Sequence, residues 1–289
     1  RSLAEWPTSA ATYLPNGRPP AVGEVFKNSG LVRTYEAIAR GGRDAFYRGE
    51  IARTIVSFSE SNGGYFTMRD FEDHSSLWVD PVTTSYRGYD VWEMPPNSSG
   101  IVALMMLNIL EGYDIASMGH NSAEALHLIA ESIKIAKSDI YHFVTDPKHA
   151  DMPTAGMTSK AFSDTRRALI SPGDAIPYPD HGSPPGALSS SVTTTTLRSA
   201  SLGVPVPGPL LAETAYPGST TSFSIVDRQG NVVVATPTLG GSWGTGVVVG
   251  STGLLFNNGT RIGSPSPYPD DVNYVRGGQI PILNNAPTL

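Results

Sequence analysis

Two adjacent threonines, Thr220 and Thr221, stand directly before an apolar and polar alternation that ends at a turn containing Gly230. Threonine favours β-strands, so the pair can simply belong to one face of a sheet. A threonine at a chain N-terminus can instead be a nucleophile, because its own α-amine, with a reference pKa of about 8, accepts the hydroxyl proton. This second interpretation requires a cut in the chain immediately before Thr220.

The segment before the pair is suited to such a cut. Residues from about 146 to 219 are rich in Pro, Ser and Thr, and they show no helical or strand period. A stretch of this length without secondary structure is usually functional or disordered when it occurs inside a compact domain. Because the segment ends in Gly218 and Ser219, we expect an exposed cleavage point between Ser219 and Thr220.

The composition excludes several classes of function. The chain has 289 residues and a net charge of −6 without a long basic run, which argues against a nucleic-acid partner. It has no cysteine, so disulfides, thiolate metal sites and cysteine nucleophiles are excluded, and this avoidance of cysteine favours an exported, periplasmic or secreted location. The longest apolar run, residues 100–110, is shorter than the roughly 20 residues of a membrane span. No His, Asp and Glu cluster has metal-ligand spacing, so we predict neither a metal nor a cofactor.

Helices are predicted for most of the first half of the chain. Apolar residues recur every three or four positions in two segments that end at Gly41-Gly42 and Gly63-Gly64. Three further helices are predicted: a short one after Thr67, one to Glu111 that Ser98 or Ser99 caps, and one from Asn121 or Ser122 to about Phe143.

Strands are predicted on either side of a turn at Arg87-Gly88 and again after the proline-rich segment. The later strands cover 221–227, 231–238, 246–249 and 253–256. Helices followed by strands in this order are typical of a layered α/β protein.

Several ordered motifs carry a resemblance to a known family. The segment "TTSFSIVDRQGNVVVATPTLGGSWGTGVVVGSTGLLFNN" resembles the start of the small subunit of the gamma-glutamyltranspeptidase family. "GGRDAFYRGEIARTIV", "NGGYFTMRDFEDH", "YRGYDVWEMPPNSSG" and "LNILEGYD" are similar to its large subunit, in the same order. The resemblance covers about residues 20–289, so it is far more specific than any one motif.

This resemblance implies an α/β (α+β) fold of the Ntn-hydrolase type, a four-layer αββα sandwich of which the chain is a part. It implies a precursor that cleaves itself into a heterodimer of large and small subunits. Residues 1–219 would be the C-terminal part of the large-subunit-like region, including the linker, and residues 220–289 the start of the small-subunit-like region. Thr220 would be the nucleophile, and Thr238 matches the threonine whose hydroxyl holds it. The family's oxyanion glycines and its carboxylate-clamping arginine fall outside residues 1–289 in the family order, so both ends look cut.

The positions that match the family's substrate pocket depart from its pattern. After Asn257 and Asn258 the family has a polar residue and then two acidic ones, whereas this chain has Gly259, Thr260, Arg261 and Ile262. Gly240 stands where an asparagine is usual, and the paired serines that hold the α-carboxylate correspond to Leu283 and Asn284. The substrate-binding positions implied by the resemblance are Gly240, Asn258, Gly259, Arg261, Leu283 and Asn284.

Two hypotheses follow from a retained nucleophile beside an altered pocket. The first is an amide hydrolase or acyltransferase for a small-molecule gamma-glutamyl or related acyl amide. The altered pocket favours an acyl group without a free α-amine, such as a dicarboxylic half-amide, whose carboxylate Arg261 would meet unless that arginine is only a solvated loop charge. The second is a catalytically inactive relative that serves as a binding or structural protein.

Overall fold

The computed structural model describes residues 2–187, 220–259, 271–283 and 286–289, and it combines helices with short antiparallel strands. The helices are α1 (Ser2–Glu5), α2 (Pro7–Tyr13), α3 (Ser29–Tyr47), α4 (Glu50–Ser61), α5 (Met68–Glu72), α6 (Ile101–Leu110), α7 (Ala123–Phe143), α8 (Thr154–Met157) and α9 (Lys160–Arg167), with a 3-10 turn at Ile115–Met118. The strands are β1 (Val82–Tyr86), β2 (Tyr89–Glu93), β3 (Phe223–Val226) and β4 (Val232–Ala235).

The described residues form two compact units. The first contains residues 2–78, Thr220 and 238–258, and the second contains the remaining described residues, including both two-stranded sheets. This grouping reflects spatial contact and does not test the predicted subunit boundary before Thr220, which stays a prediction. The described strands make two sheets of two strands each, and the rest of the regular structure is helical. The mixed α/β class is therefore confirmed, whereas the four-layer sandwich stays a prediction.

The first unit packs helices α3 and α4 around a strip of chain near residue 250. Ile51, Ile55 and Val249 form its buried centre. The strip is also held by hydroxyl groups, since Ser9 donates to the carbonyl of Gly246 at 2.7 Å and Thr34 donates to that of Thr252 at 2.8 Å. Burying apolar side chains and pairing the backbone groups beside them together hold the segment that follows Thr238.

The second unit is built on the apolar helix α6 and the long helix α7. Ile101 and Met105 of α6 pack against Ala136 and Ile140 of α7 in the larger of the two apolar clusters. Helix α7 begins at the predicted place because the side chain of Ser122 accepts a hydrogen bond from the amide of Ala125 at 3.1 Å. No helix among the described residues has the length and apolar character to cross a bilayer.

Several local predictions need correction. The predicted stop at Gly41-Gly42 is a break within α3 rather than its end, since Gly42 has a non-helical φ of 58° and ψ of −147° and helical turns resume as far as Tyr47. The N-cap of α6 is Gly100 rather than Ser98 or Ser99, although the Ser98 hydroxyl accepts from the Gly100 amide at 3.1 Å. Predicted strands 246–249 and 253–256 pair only at an isolated bridge between Val248 and Leu255.

The proline-rich segment is less irregular than its composition indicates. Its described part, residues 146–187, contains helices α8 and α9. Helix α9 forms because Ser159 caps its first turn and because Phe162 and Arg166 are buried, neither of which a search for long periods detects. Residues 188–219 lie outside the described residues.

Candidate active site

A tight β-hairpin sets the separation of the two predicted catalytic threonines along the chain. The antiparallel register pairs Phe223 with Ala235 and Val226 with Val232. Asp227 closes the turn by accepting hydrogen bonds from the amides of Gln229 at 2.9 Å and Asn231 at 2.8 Å, and its bonds to Asn231 lower the pKa of its carboxyl group. The same register, continued to the open end of the hairpin, places position 220 opposite position 238.

The structure brings Thr220 and Thr238 into direct contact. The Thr220 hydroxyl donates to the Thr238 hydroxyl oxygen at 3.0 Å. The neighbouring amide of Thr221 donates to the carbonyl of Pro237 at 3.2 Å, which continues the pairing of the hairpin. The Thr220 side chain is exposed, so a substrate can reach its oxygen.

Thr238 is itself held in place by the backbone that follows it. Its hydroxyl oxygen accepts a second hydrogen bond from the amide of Gly240 at 2.8 Å. Gly240 has a φ of 90°, a conformation that residues with a Cβ rarely adopt, so the amide reaches back because position 240 is glycine. The Thr238 oxygen therefore accepts two hydrogen bonds, which fixes the direction of the Thr220 hydroxyl, and the Thr238 proton points away from Thr220.

Asn258 holds the loop that follows Thr238 through two hydrogen bonds. Its side-chain oxygen accepts from the amide of Gly241 at 2.9 Å, and its own amide donates to the carbonyl of Leu239 at 2.9 Å. The side-chain oxygen of Asn258, a predicted substrate-binding residue, is therefore used to hold the loop. The NH₂ group of the same side chain is the donor that would face a ligand. The contribution of Gly241 and Leu239 was not predicted, because a backbone amide or carbonyl has no signal in the sequence.

The glycines after Gly241 allow the loop to lie close to the neighbouring chain. A Cβ on Gly244 would lie 2.1 Å from the carbonyl oxygen of Phe256, and the φ of Gly244 is 55°. Two turns close the loop, from Gly244 back to Gly241 and from Gly246 back to Trp243. The "GGSWGTG" segment thus forms a close backbone approach beside the threonine pair, as its composition predicts.

The other predicted substrate-binding positions are described only in part. Gly259 is half-buried and follows Asn258 directly. Leu283 belongs to the second unit, where its amide donates to the carbonyl of Asn97 at 3.0 Å and its carbonyl accepts from the amide of Ser99 at 2.7 Å. Arg261 and Asn284 lie outside the described residues. Their roles therefore stay predictions.

A second cluster of ionisable groups was not predicted, in which Asp139, His142 and Arg166 are buried and His181 is exposed. Asp139 of α7 pairs with Arg166 of α9 at 3.0 Å, and it also accepts from the amide of Gly182 at 2.7 Å. Burial raises the pKa of Asp139 to about 6 although Arg166 opposes the shift. The ring of His142 stacks on that of His181 with centroids 3.5 Å apart, and burial lowers the pKa of His142 to about 4. We call these four residues the ion cluster.

The hydrogen bonds of the ion cluster give it a structural role. Arg166 donates to the Ser138 hydroxyl at 3.0 Å and to the Asp180 carbonyl at 2.8 Å, in addition to its bond with Asp139. Both oxygens of Asp139 are also engaged, so the pair joins α7, α9 and the chain near residue 181. One feature of the sequence could have indicated this cluster: Asp139 directly precedes Ile140, so a charged residue lies beside the apolar stripe of α7.

Comparison with known proteins matches the whole chain to one family. The family model described as Gamma-glutamyltranspeptidase matches residues 1–289. The chain is 32% identical to the glutathione hydrolase proenzyme of Escherichia coli (strain K12), over 97% of this chain and 46% of that protein. It is 35% identical to the acylase ACY 1 proenzyme of Pseudomonas sp. (strain SE83), over 99% of this chain and 46% of that protein. The chain thus spans about half the length of the curated relatives it matches.

Solved structures agree with the sequence comparison. The cephalosporin acylase from Bacillus halodurans superposes with a TM-score of 0.79 at 28% identity, covering 99% of this chain and 46% of that one. The gamma-glutamyltranspeptidase of Helicobacter pylori superposes with a TM-score of 0.57 at 26% identity, covering 61% of this chain and 51% of that one. With sequence identities of 28% and 26%, both structures resemble this chain in sequence as well as in fold.

Proposed function

Because the chain belongs to the gamma-glutamyltranspeptidase family, we propose that it is an N-terminal-threonine amidohydrolase or acyltransferase that cleaves itself before Thr220. One observation carries the proposal: the exposed hydroxyl of Thr220 lies 3.0 Å from that of Thr238. The names of the relatives, which are hydrolase and acylase proenzymes, support the same class of chemistry and the processing of a precursor.

The first step would be the self-cleavage. The Thr220 hydroxyl oxygen attacks the carbonyl carbon of Ser219, the peptide bond between the two residues breaks, and the nitrogen of Thr220 leaves as a free amine. Water then hydrolyses the resulting ester and releases the two subunits of a heterodimer. After the cut, Thr220 carries nucleophile and base on one residue.

The second step would be the turnover of an amide. The hydroxyl oxygen of Thr220 attacks the substrate carbonyl while its α-amine accepts the hydroxyl proton and then gives a proton to the leaving amine. An ester of Thr220 remains, which water or an acceptor amine resolves. Thr238 would orient the attacking oxygen. Since the α-amine must be neutral, we expect kcat/KM to rise with pH through the ordinary α-amine pKa of about 8.

A mass measurement of the freshly expressed protein tests the proposal. We expect a break between Ser219 and Thr220, loss of that break in Thr220→Ala, and its retention in Thr221→Ala, the matched control from the same dipeptide. An uncut chain that hydrolyses no amide would instead favour the second hypothesis, an inactive binding or structural relative. The altered pocket positions are the observation that supports this hypothesis.

For the substrate we propose a dicarboxylic half-amide rather than a gamma-glutamyl amide. Gly240 carries no side chain to contact an α-amino group, and its amide is already bonded to Thr238. Comparison of a glutaryl anilide with its gamma-glutamyl analogue tests this assignment. A strong preference for the gamma-glutamyl compound would contradict it, whereas hydrolysis of either compound would leave the nucleophile assignment intact.

Three further properties are part of the proposal. The whole protein would have the four-layer αββα arrangement of the Ntn-hydrolases, with the described helices in its outer layers. It would consist of a large and a small subunit after cleavage. It would be exported, which cell fractionation with an antibody against the chain tests directly.

A further inference from the structure

The segment that follows the candidate active site, residues 245–249, is hydrogen-bonded along both of its edges. One edge bonds to the backbone of residues 254–256 at 2.9 to 3.0 Å. Because alternate residues of extended chain bond to opposite sides, the backbone groups of Gly246 and Val248 face the other edge. A buried backbone group without a partner costs free energy, so this second edge also needs donors and acceptors.

Two hydroxyl groups of helix α2 provide the bonds of the second edge. Ser9 Oγ donates to the carbonyl of Gly246 at 2.7 Å and accepts from the amide of Val248 at 2.8 Å. The Thr8 hydroxyl donates to the carbonyl of Val248 at 2.6 Å. Ser9 is 0% exposed, so water cannot take over its bonds. Helix α2 therefore stands where a neighbouring strand would otherwise pair.

A ring contact connects α2 with the loop before this segment, residues 240–246, which we call the glycine loop. Tyr13, the last residue of α2, meets the ring of Trp243 edge on, with the ring centroids 4.9 Å apart. The ring of Tyr13 is itself stacked on that of Phe26, with centroids 5.3 Å apart. The amide of Gly246 closes a turn on the carbonyl of Trp243 at 2.7 Å. Helix α2 thus holds the glycine loop at Trp243 and at Gly246.

The other end of the glycine loop holds the candidate catalytic threonine. The amide of Gly240 donates to the Thr238 hydroxyl oxygen, which also accepts from the Thr220 hydroxyl. A turn from Gly244 back to Gly241 connects this end with the part that α2 holds. Three glycines of the loop have positive φ, a region that only glycine enters freely, so the loop has little stiffness of its own. Its conformation therefore depends on the groups that hold it.

We propose that Ser9 and Tyr13 are positioning residues for the threonine pair, an inference that rests on the proposed function. They act through the glycine loop. Without them the amide of Gly240 would no longer hold Thr238 in one orientation, and fewer molecules would present an aligned Thr220 hydroxyl. Since α2 belongs to the predicted large subunit and Thr220 begins the predicted small one, the large subunit would set the geometry of a nucleophile on the small subunit.

Removal of the Ser9 hydroxyl tests the inference. In Ser9→Ala we expect kcat to fall about three- to tenfold, the size of one net hydrogen bond, with KM changed less than about twofold. The measurement uses the full-length protein and whichever of the glutaryl and gamma-glutamyl anilides it hydrolyses faster. The matched control is Thr12→Ala, because the Thr12 hydroxyl donates within α2, to the carbonyl of Thr8 at 2.9 Å. This control should leave kcat unchanged.

A double variant separates positioning from a general loss of stability. If Ser9 acts through Thr238, adding Ser9→Ala to Thr238→Val should lower kcat by less than about a further twofold, since the orientation is already lost. A merely structural role would lower the folded fraction in both backgrounds. The same loss of kcat with and without the Thr238 hydroxyl would therefore overturn the inference.

The ring of Tyr13 gives a test that leaves the buried bonds of Ser9 intact. Tyr13→Ala should lower kcat about two- to tenfold through loss of the contact with Trp243. Tyr13→Phe keeps the ring and should retain most of the rate. If Ser9→Ala yields no folded protein, this pair decides the question, and equal rates in Tyr13→Ala and Tyr13→Phe would contradict the proposal.

Hydrogen exchange decides the inference without turnover. The amides of Gly240 and Gly241 belong to buried residues and are hydrogen-bonded, so their exchange requires the loop to open. In full-length Thr220→Ala, adding Ser9→Ala should speed exchange at both amides about three- to tenfold by NMR, whereas Thr12→Ala should not. Unchanged exchange at both amides in Ser9→Ala would refute the positioning role. Absence of all turnover by the unmodified protein would refute the proposed function, and the exchange rates would still decide whether α2 holds the loop.

Discussion

The threonine pair and the ion cluster place polar chemistry in opposite surroundings. Thr220 is exposed, and its contact with Thr238 is made between neutral hydroxyl groups. Asp139 and Arg166 are buried, charged and paired with each other, and burial raises the pKa of Asp139. The ion cluster, with its shifted pKa values, therefore lies apart in the chain from the candidate nucleophile.

The difference teaches how perturbed pKa values should be used to find a site. A shifted pKa points to function when the group can also reach a substrate, and burial alone shifts it equally well. Asp139 and Arg166 have no such access, because both are buried and their hydrogen bonds go to the chain itself. An N-terminal nucleophile needs no shifted side chain, since cleavage of the chain supplies an amine whose ordinary pKa is already close to neutral pH.

The largest expected effect separates the two regions by stability. Arg166→Met leaves the carboxylate of Asp139 buried without its partner, and removing one member of a buried pair costs about 3–5 kcal/mol. We expect a loss of that size in the free energy of unfolding, measured by urea denaturation. The matched control is Arg69→Met, which removes an exposed pair with Asp73 and should leave the unfolding midpoint unchanged. Equal midpoints for the two variants would show that the ion cluster has no structural role.

A smaller effect, on catalysis only, is expected from the threonine pair. Thr238→Val removes the hydroxyl that orients Thr220 while preserving the shape of the side chain. Loss of the hydrogen bond that would orient the attacking oxygen predicts a kcat about ten- to a hundredfold lower, with an unfolding midpoint close to that of the unmodified chain.

Thr221→Val is the control for this variant, because the contact made by Thr221 in the pair is through its backbone amide. A rate loss of the same size in both variants would mean that Thr238 acts through the strand and not through its hydroxyl.

The smallest effect is expected for the pH dependence of stability, because two groups in the ion cluster oppose each other. The pKa of Asp139 rises from 3.8 to about 6 on folding, so its contribution is lost as pH increases from about 4 to 6. The pKa of His142 falls from 6.5 to about 4, so its contribution is lost as pH decreases over nearly the same range. Their contributions should largely cancel in the unmodified chain.

Removing one of the two groups reveals the other. In His142→Gln the stability relative to the unmodified chain should fall as pH increases from about 4 to 6, which urea unfolding at intervals of one pH unit would detect. His120→Gln, at an exposed histidine, should leave the profile of the unmodified chain unchanged. A relative stability of His142→Gln that increases with pH would show that the lowered pKa of His142 is wrong.

Local patterns predicted the helices well and their ends less well. Helices α6 and α7 and the hairpin β3–β4 lie where apolar spacing places them, because side-chain periodicity depends on neighbours a few residues away. The break at Gly42 was predicted from the local freedom of glycine. Helix α9 was missed, because the burial of Phe162 by other parts of the chain is not a local property.

The sequence by itself indicated Thr220 and Thr238 as the candidate pair, through the resemblance of their motifs to one family. The register of β3 and β4, continued along both strands, places position 220 opposite position 238. Only the tertiary structure decided which groups surround them. The bond between Gly241 and Asn258 beside the threonines joins residues from separate segments, as does the pair of Asp139 with Arg166 in the second unit. No periodicity links such residues, because their contact depends on how whole elements pack and bury their side chains.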